Sequence, residues 1–198
     1  MPSPAAHKYA KDVTRAKLLR EAARLYSRSS QNEKQVFYGA SLAAAVAAWD
    51  AYVNGVVRDF FHVTAAPLIP RASAHHGLAR TMAEQLLLFF NVPNSENVRN
   101  LLIGATGFDP WPAWQWPANG LNSLSIRERL NEILKVRHSV AHGFALPSFA
   151  WTDSVHGQPR LTINILRWNE AFFDNLVRQT DGGISQHVHV THAIAAPW

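Results

Sequence analysis

Residues 42–60 read L-A-A-A-V-A-A-W-D-A-Y-V-N-G-V-V-R-D-F, and this stretch decides the fold class. Apolar side chains recur along it and just beyond it at alternating steps of four and three residues. The repeating positions are Leu42, Val46, Trp49, Val53, Val56, Phe60 and Val63. Such a heptad stripe is typical of a helix buried along a seam between other helices. It predicts one long helix over roughly residues 34–64.

Helical patterns continue on both sides of this long helix. Ser125 and Glu128 form an S-x-x-E pattern that predicts a capping box at the start of a later helix, which runs towards Gly143. The turn signal H-G-Q-P at 156–159 lies between two β-prone runs and indicates a small hairpin. We therefore expect a single all-α domain over residues 1–198. It would be an up-down bundle of about five helices, with a hairpin or irregular insert after the late helix.

Composition narrows the classes of function. The 198 residues include no cysteine, which excludes disulfides, thiolate nucleophiles and cysteine-based metal sites. The chain starts without the long apolar segment of a signal peptide, and its apolar runs are too short to cross a bilayer. We therefore expect a cytoplasmic protein without a membrane partner. The net charge of +5 mildly favours an anionic partner such as RNA.

Residues 137–143, R-H-S-V-A-H-G, carry most of the chemistry in this sequence. At about 100° per residue, a helix would place Arg137 in the middle of an apolar face. His138 and His142 are four residues apart and would be neighbours on the flank of that face. Burying an unpaired guanidinium costs several kcal/mol. We therefore expect Arg137 to meet a carboxylate, backbone carbonyls, a partner subunit or a bound anion, with Asp50 as one internal candidate.

Three interpretations of this stretch stay open on spacing alone. The first is a structural Arg–Asp pair with two incidental histidines. The second is an RNA-cleaving site, because histidines transfer protons near neutral pH and arginine binds phosphate oxygens. A second copy of the chain across a two-fold axis would add a second set of these histidines and arginines to the same site. The third is a metal site, which is disfavoured because the glutamate of an H-E-x-x-H helix is absent. We expect no metal or cofactor.

Two further clusters could contribute to binding. Trp114 and Trp116, in the W-P-A-W-Q-W run, could stack on unpaired bases, or could instead form an apolar lid over the bundle. We take them, together with Asp50, as candidate substrate-binding residues. Near the C-terminus, H-V-H-V-T-H supplies three more histidines that could bind a metal, although a solvated tail is the favoured interpretation. These are His187, His189 and His192.

The residues of the 137–143 stretch resemble the R-x(4–6)-H motif of the HEPN superfamily, a group of helical domains associated with nucleotides and RNA. Arg137 matches the arginine and His142 the histidine, and His138 occupies a position that is often asparagine. The W-D-A-Y run at 49–52 is similar to a helix of the bacterial RiboL-PSP-HEPN subgroup. This resemblance spans roughly residues 30–190.

The resemblance implies a helical domain that dimerises with its two motifs facing one cleft. Many such proteins are metal-independent endoribonucleases of toxin–antitoxin, CRISPR or phage-defence systems, and they leave 2′,3′-cyclic phosphate and 5′-OH ends. Carried over, His142 would be the acid/base residue, Arg137 would hold the phosphate, and His138 would assist. RNA, a second copy and an antitoxin protein are the partners implied. The alternative is a non-catalytic module that binds RNA, a nucleotide or a protein.

Overall fold

A computed structural model gives the architecture for residues 1–25, 31–64, 70–155, 158–195 and 197–198. This part of the chain is almost entirely helical, as expected of an all-α protein. Its helices are α1 (Pro4–Asp12), α2 (Thr14–Leu25), α3 (Gln31–Val63), α4 (Pro70–Phe89), α5 (Ser95–Thr106), α6 (Ser123–His142) and α7 (Ile163–His192). Only Val13 separates α1 from α2. Counting that pair as one helix gives six in the described chain, against about five predicted.

Helix α3 is the centre of the bundle and confirms the long helix predicted from the heptad stripe. Six of the seven stripe residues are buried, and Val63 at the helix end is half-buried. Trp49 is fully buried, donates its indole N–H to the carbonyl of Pro93 and stacks on Tyr52. All six other helices pack against α3. The face that the sequence marked as a seam is therefore the core of the molecule.

One predicted helix start is wrong, because the capping box predicted at Ser125 is absent. Asn122 is the N-cap of α6, and its side-chain oxygen accepts the backbone N–H of Ser125 at 3.0 Å. The helix starts earlier because the asparagine side chain satisfies one of its free N–H groups. Helix α4 begins at Pro70, whose fixed φ suits the first turn of a helix.

The insert between α6 and α7 contains the predicted hairpin. Strands β1 (Asp153–Val155) and β2 (Gln158–Arg160) pair antiparallel, with Asp153 opposite Arg160. The two turn residues of the predicted H-G-Q-P signal, 156 and 157, lie outside the described residues. Residues 107–120, rich in Pro and Trp, form turns and one 3₁₀ turn at Pro117–Asn119.

The C-terminal histidines belong to α7, so the expected solvated tail is wrong. Val188 is fully buried, and Nε2 of His187 lies 2.9 Å from the carbonyl oxygen of Thr106. The helix continues because apolar residues beyond Thr180 still face the core, among them Ile184. Within the described ranges, no group of three or more His, Asp or Glu side chains is arranged to hold a metal ion.

Helix α3 is also long and apolar enough to cross a membrane by length and composition. The relevant segment, Glu33–Val63, has half of its most apolar window buried within the bundle. Its apolar side chains contact the other helices, which is the environment of a central core helix.

Candidate active site

The R-H-S-V-A-H-G stretch forms the last turns of α6 and the turn that ends it. Gly143 has a left-handed backbone, φ 68°, and its N–H donates to the carbonyl of Val140 at 3.4 Å. The N–H of Phe144 donates to the carbonyl of Ser139 at 2.9 Å. This pair of bonds is a Schellman motif, which favours glycine at the left-handed position. It turns the chain so that Phe144 folds back beside the helix.

Phe144 and the two histidines form a ring cluster at this end of α6. The rings of His138 and His142 are 4.4 Å apart, as their i, i+4 spacing predicts. Phe144 stacks on His142 at 5.7 Å and lies 6.0 Å from His138. All three residues are exposed, Phe144 to 61%. Two imidazole side chains are therefore accessible together on the surface.

The structure corrects the expected burial of Arg137. Its side chain is exposed, whereas its neighbour Val136 is fully buried. When residues 130–145 are projected as one helix, Ala141 and Phe144 fall on the apolar face, and that face is then centred on Arg137. Both are exposed, because the last turns of α6 have little of the bundle to pack against. The arginine therefore needs no internal anion to be tolerated, and it is accessible to an external one.

Asp50 lies near Arg137 without forming a close pair. Both residues, together with Asn91, line a small cavity of about 140 Å³ between α3 and α6. Within the described chain no N···O distance between the two falls below 4.0 Å, the limit of an ion pair. Burial raises the pKa of Asp50 and the charge of Arg137 opposes that rise. Asn54 donates to the carboxylate of Asp50 at 3.3 Å. Asp50 therefore interacts with Arg137 through charge alone and does not hold its side chain in an ion pair.

A larger cavity of about 530 Å³ lies on the other side of Leu134, whose side chain borders both spaces. Its lining includes Lys135 and His138, both exposed. Asn131 also lines it, and this amide already accepts the N–H of Ser95 at 3.0 Å, which leaves its NH₂ group to donate. The cavity thus has the size of a small-ligand site, with a mainly apolar lining and a few polar side chains, one of them a lysine.

The structure separates the tryptophans from this site. Trp114 is fully buried and donates its indole N–H to Thr180 at 2.9 Å, so it is a core residue and offers no face to a base. Trp116 is half-buried and packs on Trp168 and Phe172, with ring distances of 5.5 and 6.5 Å. The predicted substrate-binding role is thereby corrected for Trp114, and the alternative of an apolar layer over the bundle describes both residues.

Three features that shape the site were not predicted from the sequence. Asn91 lines the same cavity as Arg137, and Phe144 packs beside the two histidines. Gly39 lets α3 and α6 approach closely, since a Cβ there would lie 2.5 Å from Cγ1 of Val140. A glycine followed by an apolar residue is a recognised helix-end signal, so Phe144 was detectable. Asn91 and Gly39 act through contacts distant in sequence, which one sequence does not reveal.

An all-α bundle with a surface-exposed Arg–His motif at the end of a late helix defines the chain as a HEPN-type helical domain. The RiboL-PSP-HEPN family matches residues 13–186, and the chain belongs to that family. The match covers most of the chain, including α3 and the motif on α6. No curated protein and no solved structure is significantly similar to it.

Proposed function

We propose that this protein is an endoribonuclease that cleaves RNA without a metal ion. The observation that carries the proposal is the exposed cluster of Arg137, His138 and His142, in which the two imidazoles lie 4.4 Å apart. Membership of a family associated with RNA and nucleotides supports RNA as the substrate. A role as a toxin or a phage-defence effector is part of the same proposal.

The chemistry is a transesterification within the RNA chain. A base removes the proton of a ribose 2′-OH, and the 2′-oxygen then forms a bond to the adjacent phosphorus. The bond to the 5′-oxygen breaks, and an acid protonates that oxygen as it leaves. The products are a 2′,3′-cyclic phosphate and a 5′-OH end. We assign His142 as the acid/base group and Arg137 as the cation that stabilises the phosphate charge, with His138 assisting.

A second copy of the chain would complete this site. In the described residues, neither His138 nor His142 has a hydrogen-bond partner that would fix its ring. The exposed Phe144 beside them is a large apolar side chain that a partner could cover. We therefore propose a homodimer in which two motifs face one cleft and supply acid and base from different chains.

The test is a cleavage assay in excess EDTA with analysis of the RNA ends. Wild-type protein is expected to give cyclic-phosphate ends, and His142→Ala and Arg137→Ala are each expected to lower the rate by about 10²–10⁴-fold. His189→Ala and Arg80→Ala, which change an exposed histidine and arginine on other helices, are the matched controls and should retain activity. Full activity in either motif variant would overturn the assigned roles.

A mixed dimer of wild-type and His142→Ala chains tests the shared site. If the acid and the base come from different chains, this dimer is expected to lose nearly all activity. If a single chain supplies both, the dimer keeps the activity of its wild-type motif.

A non-catalytic module is the second candidate function, and the lack of an orienting partner for either histidine favours it. Such a protein would bind RNA, a nucleotide or a protein such as an antitoxin through the same surface. RNA binding without cyclic-phosphate ends at any protein concentration would support this alternative.

A further inference from the structure

Helix α4 is poorly covered by the rest of the bundle. Of its 20 residues, all of which lie in the described chain, only Ala83 and Leu87 are buried. Large apolar side chains of the same helix are instead exposed by 43–79%, and they are Leu78, Met82, Leu86, Leu88 and Phe89. A helix with apolar side chains on several sides is normally enclosed by other protein. The outer face of α4 therefore calls for a partner.

Most of these exposed side chains form a stripe along one side of the helix. The α4 stripe consists of Leu78, Met82, Leu86 and Phe89, which follow one another at steps of four, four and three residues. Residues at these steps share one side of a helix. This is also the spacing with which one helix packs lengthwise along another. The stripe therefore fits a second helix better than a small ligand.

The charges on α4 favour a second copy of the chain as the partner. Between residues 78 and 89 the charged side chains are Arg80 and Glu84. At about 100° per residue both lie on the side of α4 away from the stripe. Glu84 is also paired with Arg58 of α3, at 3.2 Å. In a two-fold contact, a charge near the axis would meet a copy of itself, so an uncharged stripe suits self-association.

The exposed apolar area is also of the size that a stable dimer needs. At roughly 150–250 Å² for a large side chain, the exposed fractions amount to on the order of 600 Å². A specific interface buries about 800 Å² on each partner, of which about 65% is apolar in homodimers. The face of α4 thus supplies the apolar part of one such interface.

A groove beside the stripe makes the surface self-complementary. It has a volume of about 320 Å³ and lies between α4 and α5, with Leu86, Phe90 and Leu101 among its lining residues. Phe89 also borders it and is the most exposed side chain of the stripe. One copy therefore offers both a projecting ring and a groove, which is what a two-fold contact requires of a single surface.

This surface is separate from the contact proposed at Phe144. In an antiparallel pairing about the middle of the stripe, the two copies of Phe89 would lie about 16 Å apart along the helices, given a rise of about 1.5 Å per residue. The cavities of Arg137, which Asn91 helps to line, lie beyond those ends. Two motifs at that separation do not face one cleft. Pairing through α4 is therefore an additional contact.

We propose that α4 is a second self-association surface, whose stripe packs antiparallel on the stripe of another copy of the chain. If the motif-to-motif contact also forms, the two different two-fold contacts close into a tetramer. This inference goes beyond the proposed nuclease activity and does not depend on it.

The test is the mass of the purified protein, measured by light scattering over a wide range of protein concentration. With both contacts present, the wild type is expected to contain four chains of 22.1 kDa. Met82→Glu places two like charges near the middle of the paired stripes and should halve the mass. Phe144→Glu should halve it as well, and the double variant should be a single chain.

Leu18→Glu is the matched control, because Leu18 is a leucine of α2 that is exposed to 66%. This variant should keep the wild-type mass. Circular dichroism should show unchanged helix content in each variant, because all of these side chains are exposed. Met82→Glu should also retain RNA cleavage in EDTA, because the motif-to-motif contact is left intact.

The outcomes separate this proposal from the proposed nuclease dimer. If the wild type is a dimer that Met82→Glu dissociates and Phe144→Glu does not, pairing through α4 stands and the motif-to-motif contact fails. The proposal is overturned if Met82→Glu and a second variant, Phe89→Glu, both keep the wild-type mass, because the stripe would then bind a different protein. Loss of cleavage together with mass in Met82→Glu would overturn the separation of the two contacts.

Discussion

The two halves of helix α6 share one backbone but have opposite environments. Up to Val136 the helix contributes buried side chains to the core, including Leu130 and Ile133, which are fully buried. From Arg137 to Phe144 the chain is mostly exposed, and Val140 is the main apolar contact to the bundle. The first half fixes the position of the second, and the second is free to meet a ligand. Stability and activity should therefore separate along the helix.

Ile133→Ala, in the buried part of α6, is expected to cause the largest loss of stability. Removing a fully buried side chain leaves a cavity and should lower the free energy of unfolding by about 2–5 kcal/mol. His142→Ala, in the exposed half, should change it by less than about 0.5 kcal/mol. Urea unfolding followed by circular dichroism measures both. A comparable loss of stability in the two variants would mean that the motif is structural.

A smaller loss of stability is expected at Gly143, where the exposed part of α6 ends. Gly143→Ala places a side chain at φ 68° in open space, and the left-handed backbone alone should cost about 1–2 kcal/mol. Gly120 has φ 67° and is equally unobstructed, so Gly120→Ala is the matched control with a similar cost. Only Gly143→Ala should also reduce RNA cleavage, because it loosens the turn beside His142. Equal activity in both variants would argue against a role for this turn in the site.

The smallest loss of stability is expected for changes at the N-terminus of α6. Asn122→Ala removes the N-cap of α6 and should cost about 1 kcal/mol. Ser125→Ala should cost less, because the Ser125 hydroxyl bonds only to the side chain of Asn122, at 3.1 Å. Thermal melts of both variants provide the comparison. A larger loss of stability for Ser125→Ala than for Asn122→Ala would support the capping box that the sequence pattern predicted.

Much of the fold could be predicted from local sequence patterns. The period of apolar residues located α3 to within a few residues, and the turn signal located the hairpin. The i, i+4 spacing correctly placed His138 beside His142. Each of these features depends on residues close in sequence, whose geometry is set by the helix or turn itself.

Features that depend on tertiary packing could not be predicted in the same way. Projection of α6 gave the direction of Arg137 but not how far the bundle extends beside it, so its exposure was missed. Trp114 lies in a segment whose composition suits either a lid or a binding surface, and only its bond to Thr180 decides between them. The exposure of the apolar side chains on α4 is likewise a property of their surroundings.

Gly39 allows α3 and α6 to lie close together within the motif. A Cβ at position 39 would lie 2.5 Å from Cγ1 of Val140, so only the side chain of Val140 fits between the two helices there. The insert at 145–162 begins after this contact. A change in the length of the insert should therefore leave the contact in place, whereas a larger residue at position 39 should force Val140 or the end of α6 to move.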